Sequence, residues 1–146
     1  MSAAMHLVRR FVGSLGSAEP SAADLELVRV HLAPGELRCW QAMPVQDRRH
    51  SVLVARRFLE RRPTAERAEV AGALLHDVGK QQARLGTFMR VLATVVGPRT
   101  ARFRMYHDHE TLGAAMLAQA GSDPATVELV LGSGPAAAAL RDADEV

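Results

Sequence analysis

Lysine is nearly missing from this chain of 146 residues: Lys80 stands alone, and every other basic side chain bar the histidines is Arg. Aromatic residues are few as well, with four Phe, one Trp and one Tyr. So few rings argue against a base-stacking surface for nucleic acid. They also argue against a sheet, because strands draw on aromatic and β-branched side chains. The lone Cys39 excludes an internal disulfide and fits a reducing compartment. No apolar run approaches the ~20 residues of a transmembrane helix. Arg9 and Arg10 interrupt the opening stretch, Met1 to Gly16, so it does not read as a signal-peptide core. The expected location is cytoplasmic, with no membrane partner. An excess of one charge is missing too. The 18 Lys and Arg face 16 Asp and Glu for a net charge of +2, which is too balanced for a nucleic-acid polycation.

What remains is apolar and helix-forming. Hydrophobic residues make up 48% and charged residues 23%, a globular rather than a disordered composition. Ala, Arg, Leu and Val dominate, which favours helices. The length suits one domain over 1–146, with one sizeable core. The expected fold class is all-α, a single helical bundle of seven or eight helices.

Met5, Val8, Phe11, Val12 and Leu15 recur at helical spacing. Ser21 is placed to cap a helix through Val30, with Asp24 near its positive end. Ala33-Pro34-Gly35 reads as a turn, and Glu36 to Met43 as a helix with Trp40 as its core anchor. Asp47 to Arg61 is a strong helix on which His50 shares a face with Leu53 and Val54. An inward His needs a hydrogen-bond partner or a metal. His6 and His31 belong to no cluster and read as surface or structural residues. Pro63-Thr64 opens the next helix, with Thr64 as its cap. That helix is apolar on most faces, which places it inside a bundle. It ends by delivering His76 and Asp77, and a buried Asp must be paired or metal-bound.

Thr87 to Val96 reads as a further helix, followed by Arg99, Arg102 and Arg104, either a phosphate-facing patch or a solvated face. Asp108 is placed to cap a helix through Ala120 with Leu112, Ala115 and Met116 inward and Gly121 as its stop. Asp123-Pro124 opens a helix with Val127, Val130 and Leu131 as its apolar face. Gly132-Ser133-Gly134-Pro135 breaks it, and an Ala-rich helix leads to Ala143-Asp144.

Four pieces now stand in order: His50 after Asp47-Arg48-Arg49; Leu75-His76-Asp77-Val78-Gly79-Lys80; Tyr106 to Gly113; and Ala143-Asp144. This order resembles the HD superfamily of metal-dependent phosphohydrolases, over residues 44–146. Residues 1–43 would then be N-terminal helices packing on that core. The resemblance implies a bundle of the HD-domain type, with His50, His76, Asp77 and Asp144 as ligands of one divalent ion. Nitrogen and carboxylate donors suit Mn, Fe, Zn, Ni or Mg. It implies hydrolysis of a phosphoester or phosphoanhydride in a small, nucleotide-like substrate by a metal-activated water. Asp77 and Lys80 are the expected catalytic residues. Lys80, a point charge four residues after His76 if the helix continues, is a phosphate-binding candidate with Arg49 and Arg104. His109, with His107 as substitute, is the candidate for a second metal or for substrate. Gly132-Ser133-Gly134 falls where relatives carry a further His, so the resemblance implies a single metal, or a weak second one held by Asp77 and His109, rather than a complete pair. That gap motivates the alternative, an HD domain that has lost turnover and serves as a ligand-binding or signalling module.

Overall fold

The computed structural model describes residues 19–80 and 110–145. The N-terminal amphipathic stretch, the Thr87 to Val96 helix, the Arg99 to Arg104 stretch, the Asp108 cap, and His6, Tyr106, His107 and His109 lie outside the described residues. Within them the chain forms seven helices and no strand, so the all-α expectation holds there. No helix among the described residues is long and apolar enough to cross a membrane.

Helix α1 (Ala22–His31) starts as expected. Ser21 Oγ accepts from the Asp24 amide and Asp24 Oδ2 accepts from the Ser21 amide, both at 3.2 Å, which satisfies two otherwise orphaned donors. Asp24 also receives Arg56 at 2.6 Å, tying α1 to α3 (Val45–Arg61). Between them lies α2 (Pro34–Gln41). The expected turn at Ala33-Pro34-Gly35 is instead the first turn of this helix. Proline is preorganised for the first helical position, where its missing N–H is no loss. His31 is structural: Nδ1–H donates to the Leu27 carbonyl at 2.7 Å.

Helix α3 begins two residues before Asp47. Val52, Val54, Ala55 and Phe58 face inward, but Leu53 is 46% exposed. The expected Leu53 side of the His50 face is therefore corrected. Steps of three and four residues fall on opposite sides of His50, and the core lies on the Val54 side. Trp40 is buried and its Nε1–H donates to Ser51 Oγ at 2.9 Å. That hydroxyl in turn donates to the Arg48 carbonyl at 2.7 Å.

Helix α4 (Arg67–Leu75) is capped at Glu66, not at Thr64. Residues 63–64 are spent in a turn closed by Ala65 N–H donating to the Arg62 carbonyl at 3.0 Å. Glu69 reaches back to accept from the Glu66 amide at 2.9 Å and pairs with Arg62 at 3.0 Å. From Glu69 to Leu75 every residue is buried, because α4 runs between α3 and α6 (Pro124–Val130).

Helix α5 spans 110–119. It buries Gly113, Ala114 and Leu117, while Ala115 is exposed and Leu112 and Met116 are half-buried. The expected inward set is thus rotated by about one residue. Gly121, at φ +82°, ends this stretch as expected. Asp123 caps α6 by accepting from the Ala125 amide at 2.9 Å. The buried face of α6 is Thr126, Leu129 and Val130, whereas Leu131 is 44% exposed. Leu131 sits at the cap, where the chain already turns toward Gly132. Helix α7 (Ala137–Glu145) packs on α3 and buries Ala137, Leu140 and Ala143, and its last turn reaches His50.

Candidate metal centre

Three elements meet where α4 ends. Helix α3 contributes His50, the turn at 76–79 contributes His76 and Asp77, and α7 contributes Asp144. One ligand atom from each of these four lies within 4.8 Å of all the others. The two imidazole centroids are 6.3 Å apart. Residues separated by 94 positions along the chain therefore face one small volume, and they are the four that the motif resemblance assigned to one metal.

The helix does not continue to Lys80, which corrects the expected i+4 relation to His76. After Leu75 the bonds tighten: Val78 N–H donates to the Leu75 carbonyl and Lys80 N–H to the Asp77 carbonyl, both at 3.0 Å. The helix end leaves carbonyls without intrahelical partners, and His76 uses one of them. Its Nδ1–H donates to the Ala73 carbonyl at 2.7 Å. A carbonyl can only accept, so Nδ1 carries a proton and the neutral ring presents its lone pair at Nε2. The same arrangement orients histidine ligands in metal sites.

His76 Nε2 is the orphan of the cluster. Among the described residues it is the buried side-chain nitrogen or oxygen with no hydrogen-bond partner. It lies 3.4 Å from both Asp77 Oδ2 and Asp144 Oδ1, near enough for charge attraction. His50 Nε2 donates to Asp144 Oδ1 at 3.1 Å. Lys80 Nζ sits 3.2 Å from Asp77 Oδ1.

Burial alone would lower the His76 pKa, but the Asp144 and Asp77 carboxylates outweigh it and hold the pKa above the ordinary value. Burial would raise that of Asp77; His76 and Lys80 outweigh it and hold the carboxyl below the usual range. Asp144 is held well below that range by its hydrogen bond to His50 and by the nearby His76 ring, which together exceed the opposing effect of burial. The two converging carboxylates thus favour a cation between them, which a proton on imidazole can supply. A divalent ion would serve the same carboxylates better and would give Nε2 of His76 a partner. By donor chemistry and by that orphaned nitrogen, the residues fit a metal. Among the described residues, His50, His76, Asp77 and Asp144 form a group that can hold one.

The other sequence candidates divide. Lys80 borders the cluster with its side chain 41% exposed, but its ammonium is engaged by Asp77. Arg49 is the half-buried chain neighbour of His50. His107, His109 and Arg104 lie outside the described residues. The region 132–134 is exposed and offers backbone turns at Gly132 and Gly134 (φ +83° and +93°) rather than a ligand. Sequence reasoning missed the Ala73 carbonyl, which orients His76; a backbone acceptor leaves no mark in residue identity. A cleft of about 480 Å³ opens near the start of α4, lined by Glu36, Glu66, Arg67, Ser122, Asp123 and Thr126, with no member of the cluster. Glu36 there is already engaged by the Ala33 amide and the Ser122 hydroxyl, both at 2.8 Å. Comparison with known proteins returns no matching family model, no matching curated protein and no matching solved structure.

Proposed function

We propose that this chain is a metal-dependent phosphohydrolase of the HD type, acting on a phosphoester or phosphoanhydride bond of a small, nucleotide-like substrate. The observation that supports the reading most is the convergence of His50, His76, Asp77 and Asp144 with His76 Nε2 buried and unpartnered. His50, His76, Asp77 and Asp144 would hold the ion. A divalent metal supplies water activation and offsets phosphoryl charge. The chain's own groups do the rest. The Ala73 carbonyl fixes the His76 tautomer. Asp77 is ionised at neutral pH, so it can accept a proton or orient a water. Lys80, partly exposed beside Asp77, is placed to meet a phosphate oxygen, exchanging one anionic partner for another.

The test is a screen of nucleoside mono-, di- and triphosphates and cyclic nucleotides with the Mn²⁺-, Fe²⁺- or Zn²⁺-loaded protein. Turnover that disappears in Asp77→Ala and drops in Lys80→Ala supports the reading. Metal bound without turnover on any substrate favours the second reading, a ligand-binding or signalling module on the same framework. The bare Gly132 to Gly134 turn, which offers no ligand for a second ion, is the observation behind that alternative.

A further inference from the structure

We propose that Gly113 is a positioning residue that sets the Asp77 turn against the rest of the centre. The idea rests on the metal reading only for its Co²⁺ arm. The turn at 76–79 is not a surface loop: Val78 and Gly79, which follow Asp77, are buried. Helix α5 crosses them at Gly113. A Cβ at Gly113 would lie 3.1 Å from the Gly79 nitrogen, 3.3 Å from Val78 Cγ1 and 3.4 Å from Gly79 Cα. Two of those three atoms are backbone, so a side-chain rotation cannot make the room. The interior is close-packed, and the turn itself must yield by a few tenths of an ångström. Asp77 and Lys80 flank the atoms that would be pushed. Their contacts, Asp77 to His76 at 3.4 Å and Lys80 to Asp77 at 3.2 Å, depend on where that turn sits. Ligand sets tolerate errors of only about half an ångström. The other close glycine contacts, Gly35 on Ala120, Gly72 on Leu129 and Gly134 on Glu128, touch no part of the turn.

The experiment compares the parent with Gly113→Ala and with Gly121→Ala. Gly121 lies just beyond the other end of α5, at φ +82° with nothing within 4 Å, so alanine there strains the backbone without touching the turn. All three chains are examined in concentrated sucrose, which favours the folded state. The first readout is the ring ¹H–¹⁵N resonances of His50 and His76 in metal-free protein. The second is Co²⁺ affinity with the accompanying visible spectrum. Gly113→Ala is expected to shift the His76 ring resonances and to weaken Co²⁺ binding by about tenfold or more, the range found for residues that orient ligands. Gly121→Ala is expected to keep parent values in both. Parent-like His76 resonances in Gly113→Ala overturn the proposal, as does the same shift in both variants, or a Gly113→Ala chain that does not fold in sucrose. If the parent binds no Co²⁺, the metal reading falls, and the ring comparison alone decides the positioning role.

Discussion

Replacing Asp144 with Asn keeps the shape of the side chain and removes the charge that faces both histidines. In metal-free protein the variant loses a charge-assisted contact with His50 at 3.1 Å and an ionic one with His76 at 3.4 Å. A charged hydrogen bond contributes roughly 1.5–3 kcal/mol against about 1 for a neutral one. The Asp144 side chain is 37% exposed, and solvent screening brings the difference down to about 1 kcal/mol. For a chain of this size that is roughly 2–4 °C in Tm. With metal at one hundred times its dissociation constant the parent gains about 2.7 kcal/mol. A variant that no longer binds gains nothing, so the gap widens to roughly 7–15 °C.

The pH dependence of the metal-free gap follows from the two shifts. Asp144 is depressed, so its contribution is present above the unfolded carboxylate value of about 4 and fades as pH falls through its lower folded value. His76 is raised, so its contribution is full below the unfolded imidazole value of about 6.5 and fades as pH climbs through the higher folded value. The gap is therefore widest between about pH 4 and 6.5. Thermal melts of parent and variant, with and without metal and across pH, read all of this. A gap that metal leaves unchanged would refute the placement of Asp144 among the ligands.

Metal and proton compete for His76, so metal affinity should rise with pH until the raised His76 pKa is passed, with protons released on binding; calorimetry in buffers of different ionisation enthalpy checks both. Removing the Ser51 hydroxyl in Ser51→Ala strands the buried Trp40 Nε1–H and should destabilise by about 1–3 kcal/mol, with a shift in the fluorescence of the single Trp. Thr126 Oγ1–H donates to the Ala68 carbonyl at 2.7 Å from a fully buried position. Thr126→Val should therefore lower stability by roughly 1–2 kcal/mol in denaturant melts and leave metal affinity untouched, since it lies toward the other end of α4.

Helix existence was legible where periodicity and caps agree. Ser21 with Asp24, and Asp123 with Pro124, carry their start signals within a few residues, and the structure uses them. Thr64 failed because Pro63 and Thr64 are consumed by a turn, while Glu66 and Glu69 supply the cap; the competing signal, a Glu three residues after another Glu, resembles ordinary surface charge. The inward faces of α5 and α6 drifted because small residues mark the contact. Gly113 and Ala114 are buried through close approach, which hydrophobicity does not reveal, and Thr126 is buried because its hydroxyl finds a carbonyl on α4. The four clustered residues were legible through motif order alone. Their convergence required long-range packing of α7 on α3, and neither spacing nor composition encodes that.

The most direct measurement is the metal content of purified parent protein beside Asp77→Ala, by elemental analysis. The parent is expected to carry about one equivalent of a divalent transition metal, or to take it up from added Mn²⁺ or Fe²⁺, and the variant to lose it. No metal in either protein, with none taken up on addition, would contradict the metal reading and leave His50, His76, Asp77 and Asp144 as a hydrogen-bonded polar cluster tying α7 to α3.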